Sequence, residues 1–255
     1  MPTTPQPDLR PRGPRVAVVA AMEEELHSLR DRLSGLQRVS VSGGKAVSGR
    51  LGSGEQVLLM ATGEGSAAAS RGLAALMAGR ELEALVVVGV AGALSPDLSV
   101  GDLVVAASVR DDDGEVASPD PTLVQRALAS GSVVRGGVVS VEKIVVEAPA
   151  KQALWETLGG APFQVVDLES ATYARMAAES QVPYLVLRAV SDTATESLPL
   201  DFNAFRTADG RINRGRVARH LIFHPHLVGP LKSLRARLRE CAVPMADVVE
   251  GVLRS

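Results

Sequence analysis

Short, continuous apolar segments alternate with helical segments along most of this 255-residue chain, and this alternation limits the possible folds more than any other feature. The alternation predicts an α/β fold: a three-layer αβα sandwich around a central mixed, largely parallel sheet. Apolar segments with the length of strands buried on both faces lie at 16–20, 56–61, 85–89, 103–109, 133–140, 163–166 and 184–190. Helices are predicted at 22–33, 66–77, 123–129, 149–158 and 170–180, and a hairpin at 37–51.

The two ends of the chain differ from its middle. Five of the fifteen prolines fall within residues 1–14, which show no apolar period and are predicted to form a flexible tail. Between 206 and 239, nine basic residues accompany a single acid, Asp209, and leucines recur at helical spacing. We therefore predict a single domain over 15–255 with a basic helical C-terminal extension from about 206. The extension is interpreted as a solvated helix packed by one face, and contact with an acidic partner or a membrane surface is the alternative.

Composition excludes several classes of protein. A hydrophobic content of 46% with a formal net charge of −2 excludes disorder of the whole chain, and no apolar run is long enough for a membrane-spanning helix. The single cysteine, Cys241, excludes an internal disulfide framework and fits a cytoplasmic protein. The near-neutral charge and seven aromatic residues argue against a nucleic-acid partner. Histidines at 220, 224 and 226 have no acid or cysteine beside them, so no metal site is expected.

Two glycine-containing segments follow predicted strands. The segment 62–65, Thr-Gly-Glu-Gly, opens the helix at 66–77 and fits the glycine pattern of dinucleotide-binding turns. The acid that such a site needs after the next strand is missing, and Glu64 would oppose a pyrophosphate, so dinucleotide binding is disfavoured. The segment 89–94, Gly-Val-Ala-Gly-Ala-Leu, is interpreted as a second turn. Two such turns would leave a ligand cleft at the carboxyl edge of the sheet, with close packing and no ligand as the alternative.

Acidic residues lie at the ends of three predicted strands. Glu23, Glu24 and Glu25 begin the first helix, where the helix dipole alone favours acids; helical phase turns Glu24 away but does not choose between the other two. Helix capping accounts for several polar residues after the strands at 163–166 and 184–190, but it leaves Glu169 and Asp192 unexplained.

Carboxylates around a cleft of small residues suit the cleavage of a ribose–base bond. A departing purine needs a proton or strong hydrogen bond at a ring nitrogen, which a protonated Asp can supply. The sugar becomes cation-like, so fixed negative charge stabilises it. A further carboxylate can accept hydrogen bonds from two ribose hydroxyls, and another can orient a water.

The order of these motifs resembles the nucleoside phosphorylase/nucleosidase family over about residues 15–205, and most nearly its methylthioadenosine/S-adenosylhomocysteine nucleosidase branch. The motifs are Ala-Ala-Met-Glu-Glu-Glu at 20–25, Gly-Gly at 43–44, Thr-Gly at 62–63, the segment 89–94, Val-Gly-Asp at 100–102, Asp-Leu-Glu-Ser at 167–170 and Arg-Ala-Val-Ser-Asp at 188–192. The resemblance implies that Glu25 activates a water, that Asp192 is the general acid at purine N7, and that Glu169 holds the ribose. It implies further substrate contacts at Glu64, Val90, Ala91, Gly92, Ile144, Val145, Leu168, Ser191 and Phe202, with no metal and no cofactor. It also implies a homodimer or larger homo-oligomer that acts on a small nucleoside.

Departures from the family pattern bear on the nucleophile and the substrate. Val87 and Val90 stand where phosphorylases of the family carry a phosphate-binding Arg and Ser/Thr, which favours water. Glu64 and Ile144 differ from the apolar and aromatic residues usual in nucleosidases for 5′-thio substrates. The segments 145–151 and 167–170 and the basic end also resemble hopanoid-associated phosphorylases, which act on a lipid-attached nucleoside, whereas the motif at 22–25 argues against that branch. We expect hydrolysis of an adenine-type nucleoside modified at the 5′ position, with phosphorolysis of such a nucleoside, or nucleoside binding without catalysis, as alternatives.

Overall fold

The computed structural model describes residues 14–41, 44–207 and 212–254. Apart from Pro14, the tail predicted at 1–14 lies outside the described residues. The strands are β1 Val16–Ala20, β2 Ser34–Val41, β3 Gly44–Arg50, β4 Gln56–Ala61, β5 Ala84–Ala93, β6 Leu103–Asp111, β7 Gly114–Glu115, β8 Val133–Ser140, β9 Gln164–Asp167 and β10 Tyr184–Asp192. The helices are α1 Glu23–Asp31, α2 Ser66–Met77, α3 Pro121–Ala129, α4 Ala148–Thr157, α5 Ser170–Glu179, α6 Arg214–Phe223 and α7 Val228–Leu253.

One mixed sheet runs through the molecule, as the sequence predicts. Parallel pairings join β1 to β4 and β5, β5 to β10, and β6 to β8 to β9, while β2, β3 and β4 form an antiparallel meander. Because β10 pairs with both β5 and β6, and β9 pairs with β5 as well as β8, this half of the sheet closes on itself. The carboxyl ends of β5, β9 and β10 are therefore held close together.

Helices cover both faces of the sheet, which confirms the three layers. Apolar side chains of α2 and α5, including Leu73 and Tyr173, pack on one face. Those of α1, α3 and α7, including Leu29 and Val249, pack on the other. The strands themselves are continuous in Val, Leu and Ala, because both of their faces are buried.

The second small-residue segment is strand and not turn. β5 continues to Ala93, so the prediction that the strand stops at Gly89 is wrong. A Cβ atom on Gly89 would lie 2.0 Å from Arg188 Nη1, and one on Gly92 would lie 3.0 Å from Asp192 Oδ2. Both positions require glycine because side chains of β10 lie directly against the backbone of β5. The glycines therefore do not mark a turn, and the strand continues through them.

The basic C-terminal segment forms two helices of different character. α6 and the first half of α7 contribute half-buried leucines and valines, whereas α7 from Cys241 onward is buried against the sheet. Among the described residues, no helix combines the length and apolar character needed to cross a membrane.

Candidate active site

A cavity of about 600 Å³ opens at the carboxyl ends of β5, β9 and β10. All twelve residues selected from the sequence line it, and they come from seven separate parts of the chain. They are Glu25, Glu64, Val90, Ala91, Gly92, Ile144, Val145, Leu168, Glu169, Ser191, Asp192 and Phe202. The three carboxylates central to the sequence argument, Glu25, Glu169 and Asp192, are only 3%, 6% and 4% exposed. Acids are almost never buried to this extent without partners, so each contact below carries information.

Glu25 is fixed by two backbone amides. Met22 N donates to its Oε2 at 2.8 Å, within the first turn of α1, and Val90 N donates to its Oε1 at 2.9 Å from β5. Burial raises the pKa of Glu25, although Arg188 and these amides act in the opposite direction. Glu23 is exposed, so the structure resolves the choice that helical phase left open in favour of Glu25.

Glu169 directly precedes α5 in the sequence, and its side chain lies at the amino end of α2. Gly65 N donates to Glu169 Oε1 at 2.6 Å, and Gly63 and Gly65 both have positive φ, which explains the glycines of this turn. The free amide that would bind a pyrophosphate is therefore taken by a side chain of the protein itself. Burial, followed by the nearby Asp167, raises the pKa of Glu169 to about 8.

A buried network of charged and polar side chains, which the sequence reasoning missed, lies beside these acids. Arg188 Nη2 contacts Asp167 Oδ2 at 2.6 Å, and its Nε and Nη2 donate to Ser170 Oγ at 3.1 and 2.8 Å. Burial lowers the pKa of Arg188, but Asp167, Glu169 and Glu25 outweigh it and the net direction is upward. The available signal was an arginine inside an otherwise apolar strand, which only a buried counter-charge explains.

Asp192 ends β10 beside the bulge where this strand leaves its regular register with β5. Ser191 Oγ donates to Asp192 Oδ1 at 2.6 Å. Lys151 Nζ, from α4, forms an ion pair with Asp192 Oδ2, and the Lys151 side chain is completely buried. The sequence reasoning also missed Lys151, because a lysine in a predicted helix has no local signal that separates it from a solvated one.

The far side of the cavity is built by the C-terminal helices, which the sequence analysis treated as an extension. Their contribution is mostly aliphatic, with cationic residues among it. The aliphatic residues are Val217, Leu221, Val228, Leu231, Leu234 and Leu238, and the cationic ones are Arg214, Lys232 and Arg235. Polar contacts tie this wall to the rest of the site, since Ile212 N donates to Glu64 Oε2 at 3.1 Å and Arg237 contacts Glu196 at 2.7 Å. The site thus has a floor of buried carboxylates and a far wall that is mostly aliphatic, with cationic side chains among the aliphatic ones.

One arginine, Arg188, reaches the β5 side of the site, but its guanidinium already forms an ion pair with Asp167. Arg188 lies against Gly89 from the interior, bonded to Asp167 and Ser170, and it is not among the described residues that line the cavity. Val87 is buried and Val90 offers the cavity a side chain without a hydrogen-bonding group.

The histidines of the C-terminal segment are packed against each other. His220 stacks on His224 with ring centroids 3.9 Å apart, and Phe205 contacts His220 edge-on. Within the described ranges, no group of three His, Cys, Asp or Glu residues is placed to hold a metal ion.

Comparison with known proteins identifies the family of the chain. Residues 15–222 match the family model described as the phosphorylase superfamily. Among solved structures, the chain is similar to the 5′-methylthioadenosine/S-adenosylhomocysteine nucleosidase of Neisseria meningitidis in complex with methylthio-immucillin-A (21% identity, 94% of this chain and 98% of that chain covered, TM-score 0.73). It is also similar to the futalosine hydrolase of Helicobacter pylori (17% identity, 94% and 97% covered, TM-score 0.73). At these identities the solved structures establish the shared fold, while the family match covers most of the length, and the chain belongs to the phosphorylase superfamily.

Proposed function

We propose that this protein hydrolyses the N-ribosyl bond of an adenine-type nucleoside that carries a modification at the 5′ position. The observation that carries the proposal is the meeting of Glu25, Glu169 and Asp192, from three distant parts of the chain, around one cavity. The superfamily and its nucleosidase structures support the same chemistry.

Glu25 is suited to activate the attacking water. Its two oxygens are oriented by Met22 N and Val90 N, and burial raises its pKa above the ordinary value, which makes the carboxylate a stronger base. The water oxygen attacks C1′ of the ribose and passes its proton toward Glu25. On the β5 wall, Val90 has no hydrogen-bonding side chain and Arg188 is bonded to Asp167, which favours water as the nucleophile. Arg206, Arg214 and Arg235 line the cavity elsewhere, so a phosphate-dependent reaction is the alternative that an assay with and without phosphate must test.

Glu169 and Asp192 act on the two halves of the substrate. A carboxyl with a pKa of about 8 offers the ribose hydroxyls acceptors in both protonation states and a donor below that pH. As the C1′–N9 bond breaks, its electron pair moves to the purine, and Asp192 serves N7, where the proton is taken up. Ile144, Val145 and Phe202 provide apolar contacts for the base and the sugar.

The direct test combines a substrate panel with one substitution. We expect purified protein to release free base and free ribose from adenosine, methylthioadenosine or a related nucleoside at the same rate with and without phosphate. Asp192→Asn should lower kcat by about 10³-fold with KM within a few-fold, because it removes a group that acts at the departing base. Asp112→Asn, on an exposed loop, is the control. Near-normal turnover by Asp192→Asn would exclude the assigned role.

A second candidate is phosphorolysis of a nucleoside that bears a large apolar 5′ group. Arg206, Arg214 and Arg235 line the cavity and are cations of the kind that bind phosphate, and the aliphatic residues of the far wall suit an apolar substituent. Six aliphatic side chains of α6 and α7 face the cavity and remain only half-buried, so an apolar substituent of the substrate would cover them. This candidate requires turnover that depends on phosphate and releases a ribose 1-phosphate. Binding of nucleosides without any turnover would instead favour a non-catalytic module.

Two partner assignments belong to the same proposal. The protein forms a homodimer or larger homo-oligomer in the cytoplasm, as the family resemblance implies and as the single cysteine allows. Its C-terminal segment contacts a membrane surface through Ile222 and Phe223, which are 74% and 76% exposed among several arginines of α6 and α7.

A further inference from the structure

Lys151 is the most completely buried cation at the base side of the cavity, and its three protons have distinct partners. Nζ contacts Asp192 Oδ2, and it donates to Thr193 O at 2.9 Å and to Glu196 O at 2.8 Å. A buried ammonium requires this complete set of acceptors. The two carbonyls fix Nζ in place, so one N–H is aimed at the carboxylate.

The chemical environment of Asp192 is changed by this contact. Paired with an ammonium on Oδ2 and with the Ser191 hydroxyl on Oδ1, Asp192 is held as an anion whose oxygens are both oriented. An anion alone has no proton to give to a departing base. The proton that the proposed reaction needs must therefore come from the pair as a whole.

We propose that Lys151 is a positioning residue for departure of the base, and that it supplies the proton through Asp192. This inference rests on the proposed function. When the C1′–N9 bond breaks, its electron pair goes to the purine. One proton leaves the Lys151–Asp192 pair for purine N7, and the pair changes from ammonium and carboxylate to neutral amine and carboxylate. The amine keeps two N–H groups, which match the carbonyls of Thr193 and Glu196, and solvent restores the missing proton after the base has left.

The kinetic test separates proton supply from structural support by changing the leaving group. Lys151→Gln keeps two N–H donors for the carbonyls but has no proton to transfer, and Lys151→Met removes both functions. We expect Lys151→Gln to lower kcat for the nucleoside that the protein cleaves by at least 100-fold, with KM within threefold. On 4-nitrophenyl β-D-ribofuranoside, whose leaving group departs without a proton, the same variant should retain at least a third of the wild-type rate. Equal losses on both substrates would overturn the proposal.

A double-mutant comparison tests whether Lys151 acts through Asp192. We expect Lys151→Gln combined with Asp192→Asn to be no slower than Asp192→Asn alone, since the second change removes a partner that no longer functions. Multiplied losses would assign Lys151 a separate structural role and contradict the proposal. Lys45→Gln, at an exposed position of β3, is the matched control and should match the wild type in every assay.

A spectroscopic readout does not depend on turnover. The chain has four lysines, so ¹⁵N-lysine labelling gives few side-chain signals, and Lys151→Gln identifies the one from Lys151. We expect a slowly exchanging ammonium signal at neutral pH that shifts in Asp192→Asn and on addition of adenine. A signal that responds to neither would overturn the proposal. If the signal behaves as expected but no nucleoside is cleaved, the proposed function fails and the ion pair stands.

Discussion

Glu169 accepts a hydrogen bond from Gly65 N at the amino end of α2, a position at which many α/β proteins bind a phosphate. At the scale of single residues, several groups that could bind a ligand are instead bonded to side chains of the protein itself. Asp167 forms an ion pair with the guanidinium of Arg188, and Lys151 forms an ion pair with Oδ2 of Asp192. Glu169 and Asp192 were identifiable from sequence because capping did not explain them, and Glu25 was selected by the family resemblance. The cationic partners of these acids came from distant elements and had no pattern of their own.

The raised pKa of Glu169 makes stability depend on pH. The folded state holds this proton up to about pH 8, whereas an ordinary glutamate releases it near 4.5. Between these two pH values, the unfolded chain has released the Glu169 proton while the folded state still holds it. The free energy of unfolding therefore falls as the pH rises from about 4.5 to about 8. We expect Glu169→Gln to be more stable than the wild type by roughly 2–4 kcal/mol at pH 9 and nearly equal to it at pH 4.

Urea unfolding at pH 4, 7 and 9 measures this difference. Glu240→Gln, on the exposed side of α7, should differ from the wild type by the same small amount at each pH. A constant difference for Glu169→Gln across the series would contradict the raised pKa.

At the scale of elements, the sequence predicts most of the fold because strands that are buried on both faces have continuous apolar sequences. The predicted helix at 66–77 is confirmed as α2, and most other boundaries lie within a few residues of the observed ones. The exception is β5, where glycine suggested a turn. Local sequence cannot report that Arg188 approaches from a strand about a hundred residues later, and this close approach is the reason for the glycine.

Gly89→Ala tests that explanation. A methyl group there would lie 2.0 Å from Arg188 Nη1 and 2.8 Å from Glu25 Oε1, so both side chains would have to move. We expect a loss of about 1–3 kcal/mol in the free energy of unfolding and at least a tenfold loss of kcat. Chemical denaturation and steady-state kinetics measure the two effects.

Gly52→Ala is the matched control for this substitution. It lies in the exposed connection between β3 and β4, and its added methyl would have no neighbour within 4 Å in the described structure. It should leave stability within about 0.5 kcal/mol and activity unchanged. Equal behaviour of the two alanine variants would show that the approach of β10 does not require Gly89.

At the scale of the whole molecule, the segment after residue 206 closes the cavity and presents its own surface. Its apolar residues divide into two sets: those that face the cavity, such as Leu221, and the exposed pair Ile222 and Phe223 at the end of α6. The sequence showed the basic charge of this segment but not this division, because the division depends on how α6 folds back over the site.

Vesicle binding tests the exposed pair. We expect the wild type to sediment with vesicles that contain about a quarter anionic lipid, and less so as salt is added. Ile222→Ser with Phe223→Ser should weaken binding at least fivefold, whereas Val243→Ser, at a 48% exposed position on α7, should not. Wild-type protein that stays in solution, or an equal loss with Val243→Ser, would contradict membrane contact through this pair.

The floor and the far wall of the cavity come from different stretches of the polypeptide. The buried acids lie at the ends of sheet strands and at the start of α1, and a later helical segment supplies most of the aliphatic boundary. Mutations in α6 or the start of α7 can therefore reshape the room offered to the 5′ group without disturbing Glu25, Glu169 or Asp192. A change in the size of the accepted substituent would therefore require substitutions in only one continuous stretch of the chain.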